Sequence, residues 1–132
     1  MKVAIVDDDE SVSKAISRLL TVAGMSPSAF ASAEEFMSSR PSGLDCLLLD
    51  VHLGGGMSGP ELHRWLLDQG DLTPVIYLSA SDDPRAEAAA RLLGCVEFIR
   101  KGDSPDSILS ALARVQDGHS LASTRRTDGT AA

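Results

Sequence analysis

Four short apolar runs punctuate the chain: Val3 to Val6, Cys46 to Leu49, Val75 to Leu78 and Val96 to Ile99. Each is brief and each gives way to polar residues, as strands buried on both faces do. Ala29 to Ala31 forms a weaker fifth run after the Gly24 and Pro27 breakers. Helical spacing fills the intervals. Val12, Ala15, Ile16, Leu19, Leu20 and Ala23 recur at steps that place them on one face, and Ile108, Ala111, Leu112 and Val115 do the same near the end. Helix starts are marked by capping-box spacing at Ser32/Glu35 and Ser58/Glu61. Asp83-Pro84 and Ser104-Pro105 each put a capping oxygen before a proline at the first helical position. A strand–helix alternation repeated in this way predicts an α/β fold, a doubly wound five-stranded parallel sheet with helices on both faces, because each crossover is right-handed.

With 132 residues there is room for one domain, expected over residues 1–118. Residues 119–132 are rich in Ser, Thr, Gly and Ala without periodicity, and read as a disordered tail or the start of a linker. Aromatic residues make up only 4% of the chain, so aliphatic side chains and alanine must fill the core. A formal charge of -7 speaks against nucleic acid as a direct partner, because phosphate binding wants a basic face. No apolar run approaches the roughly 20 residues that span a bilayer, and the first apolar run is too short for a secretory signal. No membrane insertion and a cytoplasmic location are therefore expected. Cys46 and Cys95 sit beside apolar runs without C-x-x-C spacing, which reads as free buried thiols.

Ligands of open parallel sheets bind beyond the carboxyl ends of the strands. Asp7, Asp8 and Asp9 follow the first strand, Asp50 the third, Ser79-Ala80-Ser81 the fourth and Arg100-Lys101 the fifth. Acids, hydroxyls and an ammonium thus converge on one rim. Clustered carboxylates repel one another until a cation neutralises them, and Mg²⁺ suits such a set of hard oxygens. A neutralised carboxylate can attack phosphorus, and the transferred group then needs donors and cations around its oxygens. Asp9 reads as a helix cap. Any single member of this set is unremarkable in a loop; their coincidence at four element ends carries the inference.

These residues resemble the response-regulator receiver domain over essentially residues 1 to 118. The resemblance is carried by Ile5-Val6-Asp7-Asp8-Asp9, Leu47-Leu48-Leu49-Asp50, Met57-Ser58-Gly59, Leu78-Ser79-Ala80 and Phe98-Ile99-Arg100-Lys101. It implies a flavodoxin-like strand order, 2-1-3-4-5, and a phosphoryl group accepted on Asp50 from a histidine kinase or histidine phosphotransfer protein. It further implies Mg²⁺ held by Asp8, Asp50 and the backbone carbonyl of His52, with Asp7 acting through bound water. Lys101 and Ser79 would contact the phosphoryl group, and Ser79 with Phe98 would form the switch. The implied output is an effector domain beyond the receiver or a separate output protein, and the resemblance leaves open a homodimer through the last two helices and fifth strand. His52 and Ser81 resemble positions that tune dephosphorylation.

Two departures from the family pattern stand out. Leu53-Gly54 replaces a common Met-Pro, in a glycine-run loop one residue longer than usual and expected to be more mobile. Gly102 replaces the proline that usually follows the lysine; a cis bond without proline costs about 2.5–4 kcal/mol, so a trans bond or a rearranged loop is expected.

Other readings compete. Gly54, Gly56 and Gly59 satisfy G-x-G-x-x-G, but the loop follows an internal strand and no acidic residue ends the next one, which argues against a dinucleotide site. An aspartate-dependent phosphatase would want an acid where His52 stands. A receiver-like binding module that needs no phosphorylation would have little use for the full acid, hydroxyl and lysine set. His63, Trp65 and His119 show no partner pattern, and Trp65 is expected core-facing or partly exposed.

Overall fold

The computed structural model describes the backbone of residues 1–80 and 82–131, with side chains through residue 118. Its elements alternate without exception: β1 (Lys2–Val6), α1 (Glu10–Val22), β2 (Ser26–Phe30), α2 (Ala33–Ser39), β3 (Cys46–Asp50), α3 (Gly59–Asp68), β4 (Val75–Ser79), α4 (Pro84–Leu92), β5 (Glu97–Arg100) and α5 (Pro105–Ala131). All strand pairs are parallel, in the order β2-β1-β3-β4-β5. The predicted α/β doubly wound sheet is therefore the fold. The expectation of a disordered tail or linker over 119–132 lies outside the described side chains.

Strand alternation divides the core into two layers. Val6, Leu47, Leu49, Val75 and Tyr77 pack with Phe36, Leu62 and Leu66 of α2 and α3. Val3, Ile5, Leu48, Ile76, Leu78 and Ile99 pack with Ile16, Leu20 and Leu112 of α1 and α5. Every residue of β3 and β4 is buried, which explains why those strands read as continuous apolar runs. Burying one such Leu, Ile or Val side chain contributes about 1.5–3 kcal/mol.

The helix caps follow the sequence closely. Ser58 and Glu61 form a reciprocal capping box, each side chain accepting the other's backbone N–H. Asp83 accepts from Arg85 N and Ala86 N, and Asp9 accepts from Ser11 N at 3.0 Å, as a cap residue should. At α2 only half the box closes: Ser32 caps Glu35 N, while Glu35 reaches back to Ala31 N instead of Ser32 N.

Two expectations need correction. The second strand spans Ser26–Phe30, not Ala29 to Ala31, and it includes Pro27. It is an edge strand whose only neighbour is β1. Ser26 N donates to Met1 O at 2.9 Å, so alternate residues face β1 and Pro27 turns its missing N–H toward the open edge. The apolar stripe of α1 is also only half covered: Ile16 and Leu20 are buried, but Ala15 and Ala23 are exposed.

His63, which carries no partner signal in sequence, is buried on α3, and its Nδ1 lies 2.8 Å from the Tyr77 hydroxyl on β4. Burial lowers the His63 pKa and raises that of Tyr77, so both are neutral and complete each other's hydrogen bonding. Trp65 is half-buried, with the Arg40 guanidinium 5.0 Å from its ring centre. Tyr77→Phe leaves a buried imidazole nitrogen unpaired, and urea unfolding is expected to show a loss of about 1–3 kcal/mol. Adding His63→Leu removes the orphaned group, and the double variant is expected to recover most of that loss.

Candidate functional site

Asp7 and Asp50 reach the same place because strand alternation continues past the strand ends. Val3 and Ile5 of β1, Leu48 of β3 and Ile99 of β5 all face the α1/α5 layer. Counting on by twos puts Asp7, Asp50 and Lys101 on that side of the sheet. The Lys101 Nζ lies 2.8 Å from Asp7 Oδ2 and 3.0 Å from Asp50 Oδ2. The Asp50 contact is an aligned hydrogen bond, whereas Asp7 Oδ2 meets the ammonium off-axis and has no hydrogen-bond donor.

Three carboxylates stand together here. Oxygens of Asp7, Asp8 and Asp50 lie within 4.8 Å of one another, with Asp7 and Asp50 buried and Asp8 exposed. Local backbone fixes them. Asp7 Oδ1 accepts from Asp9 N at 2.9 Å, and Asp50 Oδ1 accepts from His52 N at 3.3 Å. The His52 side chain is exposed. Gly59 is required beside them, because a Cβ there would collide with the Asp50 carbonyl oxygen. Gly54, at φ +71°, sits beside Asp8, where an added Cβ would stand 3.3 Å from Asp8 Oδ2.

The other two predicted residues sit on the opposite layer. Ser79 shares the alternation of Val75 and Tyr77, and it is fully buried. It ends the strand beside Asp50, which pairs with Leu78. Phe98 pairs with Tyr77 across β4 and β5, and their rings stack 6.1 Å apart. Lys101 N donates to Ser79 O at 2.7 Å, tying the β5 exit to the end of β4. No cis peptide bond occurs among the described residues, so Lys101–Gly102 is trans as expected. Ser81 lies outside the described residues.

Electrostatics leave the cluster wanting positive charge. One ammonium faces three carboxylates, so two formal negative charges remain unmatched. Burial pushes the Asp50 carboxyl above the ordinary carboxylate range and the Asp7 charge adds to this, against the pull of Lys101. Burial acts to lower the Lys101 pKa, but contacts with Asp7 and Asp50 outweigh it and hold the ammonium charged. All-oxygen donors with excess negative charge and an off-axis buried Asp7 oxygen fit a small hard divalent cation such as Mg²⁺. They lack the soft donors that zinc or copper sites favour.

Glu34 was missed by sequence reasoning: its Oε2 accepts from Met57 N at 2.8 Å, across 23 positions. No local spacing signals such a contact.

A raised Asp50 pKa means that its ionisation opposes folding. That penalty is absent below the unfolded value near pH 4, grows as pH rises, and is complete above the folded pKa. Asp50→Asn is therefore expected to stabilise the metal-free protein at neutral pH relative to the parent. Thermal melts across pH check this, and the gain should vanish below about pH 4.

The response regulator receiver domain family matches residues 3–113 of the chain. The response regulator protein TodT of Pseudomonas putida is 34% identical over 109 residues, covering 82% of this chain and 48% of TodT. The transcriptional regulatory protein FixJ of Rhizobium meliloti is 32% identical over 115 residues, covering 87% of this chain and 56% of FixJ. The chain thus spans about half the length of these curated relatives. Among solved structures, a FixJ N-terminal fragment superposes with TM-score 0.80 at 32% identity, covering 88% of this chain and 93% of that one. A receiver protein from Pseudoalteromonas atlantica gives TM-score 0.83 at 24% identity, covering 90% and 99%, and speaks to the fold alone. With the fold, the acidic rim and the family match in agreement, the chain belongs to the response regulator receiver domain family, a signalling domain of two-component systems.

Proposed function

We propose that Asp50 is the phosphoacceptor of this domain, taking its phosphoryl group from a histidine kinase or histidine phosphotransfer protein. The observation that carries this reading is the single ammonium of Lys101 set between Asp7 and Asp50, with Asp8 within reach of both. In the transfer, an Asp50 carboxylate oxygen attacks phosphorus while the phosphorus–nitrogen bond of the donor phosphohistidine breaks. The electron pair leaves with the imidazole. Asp8, Asp50 and the backbone carbonyl of His52 would hold Mg²⁺, with Asp7 acting through water. Bound there, the cation screens the carboxylates and the charge that develops on the phosphoryl oxygens.

The chain's own groups do the remaining work. Lys101, already hydrogen-bonded to Asp50 Oδ2, turns to a phosphoryl oxygen once that carboxylate becomes an acyl phosphate. Ser79 donates its hydroxyl to a second oxygen and draws the end of β4 with it. Phosphorylation adds roughly -1.5 to -2 charge at Asp50, and that charge biases the domain between two arrangements of Ser79 and Phe98. Phe98 carries no hydroxyl, so packing, including its stack on Tyr77, sets its position. The altered surface is built by α4, β5 and α5. The domain turns over only its own acyl phosphate.

Longer relatives support an output domain beyond the receiver or a separate output protein as the recipient of this signal. A self-associated form through α4, β5 and α5 is a further arrangement consistent with that surface. Within the described residues Glu97 of β5 is committed inside the molecule, paired with Arg114 at 2.9 Å and Arg91 at 3.5 Å. No helix among them is long and apolar enough to cross a membrane.

Incubation with a small-molecule phosphodonor and Mg²⁺ is expected to add one phosphoryl mass that hydroxylamine removes. Asp50→Asn is expected to show none; an equal gain in that variant would place the acceptor elsewhere. His52→Ala changes the lifetime of the acyl phosphate if the side chain guides the attacking water. An unaltered lifetime assigns the role of that position to its backbone.

A further inference from the structure

The segment that joins β3 to α3 crosses two acidic groups held by different elements. Gly54 brings its backbone against Asp8, where a Cβ would sit 3.3 Å from Oδ2. Three residues on, Met57 N donates to Glu34 Oε2 at 2.8 Å. A Cβ on Gly56 would fall 2.7 Å from Glu34 Oε1 and 2.8 Å from Oε2. The Glu34 carboxylate is thus seated directly on loop backbone, in contact that only glycine permits at position 56 without displacement. The bond is charge-assisted, and the Met57 N–H holds the Glu34 carboxyl below the usual carboxylate range.

Beyond a bond to its own backbone N–H in the first turn of α2, the Glu34 carboxylate is spent on this loop. Ser32 caps α2, and Glu35 satisfies Ala31 N. Meanwhile the run Gly54-Gly55-Gly56 carries more backbone freedom than any other residues could confer. Such a loop needs a tether if its backbone groups are to be kept in one arrangement. Its N-terminal anchor is His52 N on Asp50 Oδ1 and its C-terminal anchor is Gly59 N on Val51 O. Between them, Glu34 supplies a tie to a separate helix.

We propose that Glu34 is a positioning residue for the acidic site, latching the glycine loop so that the backbone after Asp50 and the approach of Gly54 to Asp8 stay ready for a cation. A side-chain hydrogen bond from α2 thereby does what proline does in relatives of the common pattern, which restrict the same loop covalently. Its consequence rests on the phosphoacceptor reading above; its geometry does not.

The test compares the parent with Glu34→Ala and Glu34→Gln. Amide hydrogen exchange at Met57 is followed in the metal-free protein, Mg²⁺ affinity by titration, and phosphorylation by a small-molecule donor over a range of Mg²⁺. Glu34→Ala is expected to speed exchange at Met57 and to weaken Mg²⁺ binding by about tenfold, the usual scale for outer contacts of a metal site. Phosphorylation should slow at limiting Mg²⁺ and recover at saturation. Glu34→Gln keeps an acceptor oxygen and is expected to stay nearer the parent in all three. Unchanged Met57 exchange in Glu34→Ala overturns the latch. Faster exchange with Mg²⁺ affinity equal to the parent overturns the positioning role alone. A parent that neither binds Mg²⁺ nor takes a phosphoryl group removes the phosphoacceptor reading, and the positioning role with it.

Discussion

A lysine ammonium between two buried carboxylates organises the working edge of this domain. Asp7 and Asp50 are 2% and 4% exposed, depths at which unpaired charges would be costly. Lys101 reaches both from the far side of β4, because β1, β3, β4 and β5 lie side by side in that order. The chain reverses direction of winding between β1 and β3, and that is where the acids meet, as the crevice rule for open sheets requires. One cation does not balance three anions, however. Burial first, and the Asp7 charge after it, keep Asp50 reluctant to ionise, and a divalent ion would offset both.

Much of this arrangement was legible in the sequence, for reasons that differ by residue. Strands β1, β3 and β4 announce themselves because they are buried along nearly their whole length, which leaves continuous apolar runs, while β5 is only partly buried and its run is broken by Glu97. Their ends then locate Asp7, Asp50 and Lys101, and period-two alternation puts those three on one side of the sheet. Asp9 was readable as a cap from its place before α1. The edge strand β2 was not readable with the right bounds, because a half-covered strand needs no apolar run and an open edge tolerates Pro27.

Contacts made through space left no trace in spacing. His63 and Tyr77 are 14 positions apart, and only packing α3 on β4 makes them partners. Glu34 looked like one more acidic residue in the first turn of α2. Its meeting with Met57 depends on where the loop after β3 travels. That loop lacks proline and was expected to be loose, yet its backbone is stitched at Asp50, Glu34 and Val51. The missing proline after Lys101 has a simpler outcome: the bond to Gly102 is trans, and Lys101 N still closes on Ser79 O at 2.7 Å.

Carbon-detected NMR of the aspartate carboxyl groups, with pH varied in the absence of metal and Mg²⁺ varied at neutral pH, probes the central claim most directly. The account predicts that Asp50 titrates above the ordinary aspartate range without metal, and that Asp7, Asp8 and Asp50 respond to Mg²⁺ together at one midpoint. An Asp50 that titrates as a free aspartate does, or three carboxyl groups that respond to Mg²⁺ independently or not at all, would contradict it.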